Sequence, residues 1–302
     1  MKSPFLKNVL PYTLNRDVPF DAEELAKQLT EYPFTPCAAQ DMSRSGWVNV
    51  TPETLLLNHD GQFLLCYQTE SKIIPSATIT DEIAKRVEKI EREQSRKVRR
   101  SERVSLKDEV LASLLPRAFT KASKGYIWID TNANRIFVEA TSAKTAENML
   151  ALLRKSIGSL PVMPAMVSDP VELTLTEWVK TGDLPAGYAL GDEATLKAIL
   201  EDGGMLRCKN QDLLCDEISS HLNTGKLVTM LALDWQERMQ FKISDDLSVK
   251  SIKYSDALTD QNDDIDREDQ HSRLVADFLL FTSEFSSFFT SLIEALGGEA
   301  QR

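Results

Sequence analysis

The amino-acid sequence predicts an α+β protein carrying a projecting helical hairpin, and three observations carry that expectation. Short apolar runs bounded by turn residues alternate with patterns of helical period, no glycine-rich phosphate loop follows any strand, and one long, thinly apolar helical pattern is followed at once by a complementary one. The 302 residues are 42% hydrophobic and 27% charged, an ordinary globular mixture that argues against a disordered chain. No run of about 18 apolar residues is present to span a bilayer. The start, Met1-Lys2-Ser3-Pro4-Phe5, lacks the regions of a secretory leader, so a cytoplasmic protein with no membrane association is expected. Cys37, Cys66, Cys208 and Cys215 lack C-x-x-C spacing and read as reduced thiols, with no metal and no cofactor expected.

The elements follow in order. Asp21 is placed to cap a helix through Glu24, Leu25, Lys27 and Leu29, stopped by Pro33, and Phe63-Leu64-Leu65-Cys66-Tyr67 reads as a buried strand. Thr80 opens the longest helical pattern, with Asp81 and Glu82 near its positive end and Ile83, Val87, Ile90 and Val98 in one narrow stripe. So thin a stripe calls for a single partner helix. Ser105, with Asp108 three residues on, is placed to cap that partner, whose Leu106, Val110, Leu111, Leu114 and Leu115 face the stripe until Pro116. Residues 126–129 and 135–138 read as a β-hairpin about Asn132 and Asn134. Ser142 caps a helix through Ala146, Met149, Leu150 and Leu153 that ends at Gly158. Pro161, Pro164 and Pro170 mark an internal boundary. Beyond it, residues 171–179 read as strand or strand plus turn, 193–200 as a helix stopped by Gly203 and Gly204, and 227–235 with 239–243 as neighbouring strands. Residues 274–296 read as a buried terminal helix or helix pair.

Net charge is −11, which argues against a protein that coats nucleic acid with its whole surface. Charge location matters more. Between Lys85 and Lys124 thirteen Lys and Arg face six Asp and Glu, a balance of +7, whereas the rest of the chain holds 22 cations and 40 carboxylates, a balance of −18. A solvated, salt-bridged face is one reading of this run, through pairs such as Glu82 with Arg86 and Glu88 with Arg92. Lys85 faces Lys89, however, and from Arg96 to Arg103 five cations face Glu102 alone, so repulsion there is relieved when an anion binds. A DNA-contacting surface is the favoured reading.

Catalytic signals are weak. Thr224-Gly225-Lys226-Leu227 lacks the upstream Gly and following Ser or Thr of a phosphate loop, His59, His221 and His271 stand apart in polar contexts, and Ser43-Arg44-Ser45-Gly46 is no nucleophile elbow. Asp260-Gln261-Asn262-Asp263-Asp264-Ile265-Asp266 has calcium-loop composition without its sixth-position Gly or twelfth-position Glu. Asp169 with Glu172, or Asp216 with Glu217, would be the ligands of a metal-dependent nuclease, and a coiled-coil scaffold is a third class. No catalytic residue is assigned.

Long strings in order carry a family resemblance. They are Ser105-Leu106-Lys107-Asp108-Glu109-Val110-Leu111, Leu114-Leu115-Pro116-Arg117-Ala118-Phe119, Ala151-Leu152-Leu153-Arg154-Lys155-Ser156 and Glu172-Leu173-Thr174-Leu175-Thr176-Glu177-Trp178. Glu201-Asp202-Gly203-Gly204, Leu231-Ala232-Leu233-Asp234-Trp235, residues 263–269 and the ending Leu296-Gly297-Gly298-Glu299-Ala300-Gln301-Arg302 continue the series. Over nearly its whole length the chain resembles RdgC, the bacterial recombination-associated family. The resemblance implies a central region (1–76, 118–165 and 255–302), a helical tip (77–117) and a base (166–254). It further implies a homodimer closed as a ring around double-stranded DNA, largely independent of sequence, nucleoid-associated, and limiting access of the RecA recombinase.

A ring would let a basic inner wall face phosphate while the acidic exterior faces solvent, and sequence-independent binding needs phosphate contacts alone. The candidate DNA contacts are Lys89, Arg92, Arg96, Lys97, Arg99, Arg100, Arg103, Arg117, Lys121, Lys124, Lys209 and Lys226. On burial preference alone Phe119 belongs in a core. The resemblance instead places it at a tip contact between subunits. The other contact, Lys-Lys-Gln-Asp-Leu in the family, reads Lys209-Asn210-Gln211-Asp212-Leu213 here, with Lys209, Asn210 and Gln211 as the interface candidates and Asn in place of the second Lys.

Overall fold

Among the described residues twelve strands form one sheet in the order β2-β4-β5-β6-β1-β12-β11-β10-β8-β9, with β3 added to β4 and β7 to β1. The computed structural model describes residues 4–16, 18–200, 203–265 and 269–300. Glu201 and Asp202 of the family-like strings, Asp266 of the calcium-like segment and the chain start at Met1 lie outside the described residues. The first half comprises β1 (Val9–Leu14), α1 (Ala22–Leu29), β2 (Ser43–Val48), β3 (Leu56–His59), β4 (Gln62–Ile73), α2 (Ser76–Gln94), α3 (Arg100–Leu114), β5 (Phe119–Asp130), β6 (Arg135–Glu139) and α4 (Ala143–Ile157). The second holds β7 (Val162–Pro164), α5 (Val171–Thr181), β8 (Tyr188–Ala198), β9 (Met205–Cys208), α6 (Asp216–Asn223), β10 (Lys226–Trp235), β11 (Met239–Ser244), β12 (Val249–Tyr254), α7 (Asp256–Thr259) and α8 (Gln270–Ala295). The described strand pairs within this sheet are antiparallel, and β1 joins the halves through its register with β6 and β12.

Side-chain alternation along these strands builds two cores. On one face α8 lays Phe278, Phe281, Phe285, Phe288 and Phe289 across both halves, against Trp128 and Phe137 on one side and Trp235 and Phe241 on the other. A 26-residue helix with rings at this spacing therefore ties the two halves into one hydrophobic body. On the opposite face α1 and α4 cover β1, β2, β4, β5 and β6, through Leu25, Leu29, Met149, Leu150 and Leu153, with Leu56 of β3 and Val162 of β7 at the margin. Strands β8, β10, β11 and β12 give no side chains to the second core, so no helix of that core covers their other face.

Four sequence expectations change. Residues 171–179 are helical, because Val171, Leu175, Trp178 and Val179 share one buried helical face, Pro170 precedes the first turn and Gly182 (φ 75°) ends it; their β-branched composition is overridden by that period. Residues 193–198 are strand, because Ala194 and Leu196 alternate into the core while β9 and β10 pair on either side, overriding helix-favouring Glu, Ala, Leu and Lys. Helix α2 begins at Ser76 after Pro75 rather than at Thr80, whose hydroxyl donates back to the Ser76 carbonyl at 3.0 Å. Helix α3 begins five residues before Ser105, where the Glu102 carboxylate accepts the Arg99 N–H at 2.7 Å. The helix caps at Asp21 and Ser142, the hairpin about Asn134 (φ 51°) and the adjacent strands β10 and β11 form as their residues dictate.

Candidate nucleic-acid interface

Helices α2 and α3 pack on one another through a small cluster of their own, Val87, Val98 and Leu106 with Ile83 and Ile90, separate from the two main cores. Val98 belongs to this stripe but not to the helix. Ser95 adopts a left-handed φ of 50°, ends α2, and Val98 returns to the cluster with its N–H donated to Glu91 Oε1 at 3.0 Å. Arg86 crosses between the helices, donating to Ser113 Oγ at 3.0 Å and pairing with Glu109 at 3.7 Å. The sequence-based pairing of Glu82 with Arg86 is thereby corrected: Glu82 holds Lys85 at 2.7 Å.

The structure sorts the candidate cations by what already neutralises them. Arg92 pairs with Glu88 at 2.7 Å, Lys89 with Glu93 at 3.9 Å, and Arg96 grips both oxygens of Glu102 at 2.6 and 2.8 Å. The Arg96 guanidinium, then the Arg99 N–H, push the Glu102 carboxyl down to about 2. Glu102 thus spends its charge inside the turn. Lys97, Arg100, Arg103, Lys107, Arg117 and Lys121 are exposed, and among the described residues no carboxylate pairs with them. Arg100, Arg103 and Lys107, three and four residues apart, form one stripe on α3. Salt-bridging thus accounts for the α2 cations and leaves those of α3 available.

Strand β5 then splits its own candidates. Its first six residues, Phe119 to Lys124, are exposed and the next six buried, so the strand runs out of the core as a ribbon paired residue by residue with β4. Alternation places Phe119 and Lys121 on one side of the ribbon and Lys124 on the other. Phe119 is 85% exposed, facing solvent beside its register partner Ile73. The burial expected from its hydrophobicity alone is overturned, because the ribbon carries it beyond both cores.

In the other half, Lys209, Asn210 and Gln211 follow β9, and the Gln211 N–H is tied to the Asp192 carbonyl at 3.2 Å. Lys209 stands 3.8 Å from Glu193. Lys226 opens β10 with its Nζ 3.0 Å from His221 Nδ1, so His221 is a partly buried partner rather than an isolated surface group. Sequence reasoning missed a further set. On the open face of β8, β11 and β12 lie Lys197, Lys242, Lys250 and Lys253, with Lys242 and Lys250 opposite one another in register. A bulge at Ser251 (φ 54°) keeps Lys253 on the same side as Lys250 despite their spacing of three. The alternating Gln-Phe-Lys-Ile of 240–243 was the available signal, since lysines between core positions of a strand face away from the core.

Among the described residues no group of three or more His, Cys, Asp or Glu is placed to hold a metal ion. Asp245 lies near Asp246 and Glu172, and burial, then those neighbours, push its carboxyl up. In the calcium-like segment Asn262 donates to Asp277 at 3.0 Å and Asp263 pairs with Arg273. Among the described residues no helix is long and apolar enough to cross a membrane.

These features define an α+β protein with cations gathered on a peripheral helix pair, a protruding ribbon and an open sheet face. The family model described as "Putative exonuclease, RdgC" matches residues 5–299. Proteins named "Recombination-associated protein RdgC" from Yersinia pestis (strain Pestoides F) and Yersinia pseudotuberculosis serotype O:1b (strain IP 31758) are each 55% identical over 300 residues, covering 98% of this chain and 99% of theirs. That of Yersinia enterocolitica serotype O:8 / biotype 1B (strain NCTC 13174 / 8081) is 54% identical with the same coverage. The chain belongs to the RdgC family.

Proposed function

We propose that two copies of this chain close into a ring around double-stranded DNA, bind it through its phosphates without reading sequence, and modulate homologous recombination by limiting access of the RecA recombinase. The observation that carries this reading is the placement of the two candidate contact segments. Phe119 begins the ribbon of β4 and β5 near one end of the strand order, and Lys209, Asn210 and Gln211 follow β9 at the other. A twofold axis that pairs like with like at both ends closes a ring of two, leaving no open contact to propagate. Helices α2 and α3 serve as the tip, and the lysines of the open sheet face line the inner wall. The unpaired cations support phosphate binding, and an acidic remainder suits an outer surface. The role in this reading is binding rather than catalysis.

Sedimentation fixes the subunit number, and fluorescence anisotropy on duplexes of equal length and unrelated sequence measures affinity. A dimer with matched affinities, together with RecA strand exchange slowed when this protein is bound first, is expected. A monomer at micromolar concentration, or affinities differing a hundredfold between sequences, would refute the reading. Loss of intact plasmid on adding magnesium would replace it with a nuclease.

A further inference from the structure

Glu193 points onto the open face of β8 in a place where three lysines meet. Its Oε2 lies 2.6 Å from Lys242 Nζ and 3.8 Å from Lys209 Nζ. Lys242, then Lys209 and Lys253, hold the Glu193 carboxyl below its ordinary range. Strand β10 lies between Glu193 on β8 and Lys242 on β11, and the two side chains reach across it because the intervening residue is Ala232. Gly191 beside it is equally constrained, since a Cβ there would stand 2.9 Å from that of Ala232. This small-residue floor belongs to a cleft of about 1030 Å³ roofed by the 210–214 segment. Of the three other carboxylates lining the cleft, Asp192, Asp212 and Asp234, two are committed to backbone amides, Asp212 to Leu214 N–H at 2.9 Å and Asp234 to Glu237 N–H at 2.8 Å. Glu193 alone is spent on the lysines, among the carboxylate pairs of the described cleft residues.

We propose that Glu193 is a built-in competitor for phosphate: its carboxylate occupies the anion site formed by Lys209, Lys242 and Lys253, and a DNA phosphate binds there by displacing it. This rests on the reading that the chain binds DNA, and adds the regulation of one of its contact sites. A carboxylate and a phosphate oxygen make the same charge-assisted bonds to an ammonium group, so the two are exclusive occupants of one site. The device weakens binding and keeps it exchangeable, which suits a protein that holds DNA without marking a sequence. Because the same carboxylate stands 3.8 Å from Lys209, its displacement also frees that lysine.

The test is Glu193→Gln, isosteric and uncharged, measured by anisotropy on a mixed-sequence 25-base-pair duplex between 50 and 200 mM NaCl. Freeing one to two lysines steepens the slope of log K against log salt by about 0.9 to 1.8. On going from 200 to 50 mM the affinity of the variant therefore rises about three- to twelvefold more than that of the wild type. In a Lys242→Gln background the gain falls by at least half. Exposed Glu237, in the turn beyond β10, supplies the control: Glu237→Gln removes the same charge without touching the lysines and gives less than half the gain. Wild type and Glu193→Gln binding with equal slope and affinity overturns the inference and leaves DNA binding standing. A gain undiminished without Lys242, or matched by Glu237→Gln, also overturns it. Absence of binding by both proteins overturns the inference together with the reading beneath it. Thermal melting verifies each fold, and Glu193→Ala takes the place of a glutamine variant that does not fold.

Discussion

Replacing Arg100, Arg103 and Lys107 with alanine removes three cations that share one stripe of α3 and pair with no carboxylate among the described residues. Seven residues of helix separate the first from the last, about 10 Å of rise, so the stripe can track neighbouring phosphates of one duplex. Each phosphate neutralised adds about 0.9 to the salt slope, and the triple variant should lose about 2.7. Between 50 and 200 mM salt, a fourfold change, wild-type affinity should therefore fall about 40-fold further than that of the variant. Stability should not suffer. The three side chains are exposed, and Arg100 sits at the positive end of its helix, where a cation is unfavourable. Lys89→Ala with Arg92→Ala is the matched comparison, since both residues already face glutamates, and the pair should lower the slope by less than 0.9 in total. Anisotropy titrations on a 25-base-pair duplex at four salt concentrations measure both. Equal slope losses per residue in the two variants would refute the argument that internal pairing decides which cations meet DNA.

Three further outcomes follow from particular side chains. If Phe119 joins subunits as proposed, Phe119→Glu should leave a monomer by sedimentation while keeping the unfolding free energy of the subunit within about 0.5 kcal/mol, because its ring packs in neither core. Phe285→Ala should cost about 3–5 kcal/mol in urea unfolding, since that ring is fully buried among Trp128, Phe137, Phe281 and Phe288. Glu102 has a folded-state pKa lowered to about 2, below its unfolded value, so its support of the 95–102 turn is present above the ordinary carboxylate range and lost as pH falls through about 2. A carboxyl NMR titration of Glu102 should show that midpoint, moving up in Arg96→Ala; an unmoved midpoint would deny the Arg96 contact its cause.

Local chemistry was legible in the sequence wherever an element depends on its own residues. Asp21 and Ser142 cap the helices they precede, Asn134 takes the left-handed turn between β5 and β6, and the phenylalanines of α8 announce a buried helix. The excess of cation between Lys85 and Lys124 needed only counting. The starts of α2 and α3 were misread although their neighbours are local, and tertiary structure decided the questions that depend on a distant neighbour. Whether residues 193–198 were helix or strand was settled by β9 and β10 on either side, and whether 171–179 were strand was settled by the core beneath them. Phe119 lies outside the core because β5 outruns it, a fact of strand pairing that hydrophobicity cannot supply. The same holds for charge. Composition set the amount of positive charge in the 85–124 window and helical spacing already offered Glu88 to Arg92, but only the fold assigned Glu82 to Lys85, Glu102 to Arg96 and Glu193 to Lys242. An ion pair is a property of distance, and distance between residues 49 apart is fixed by packing rather than by sequence.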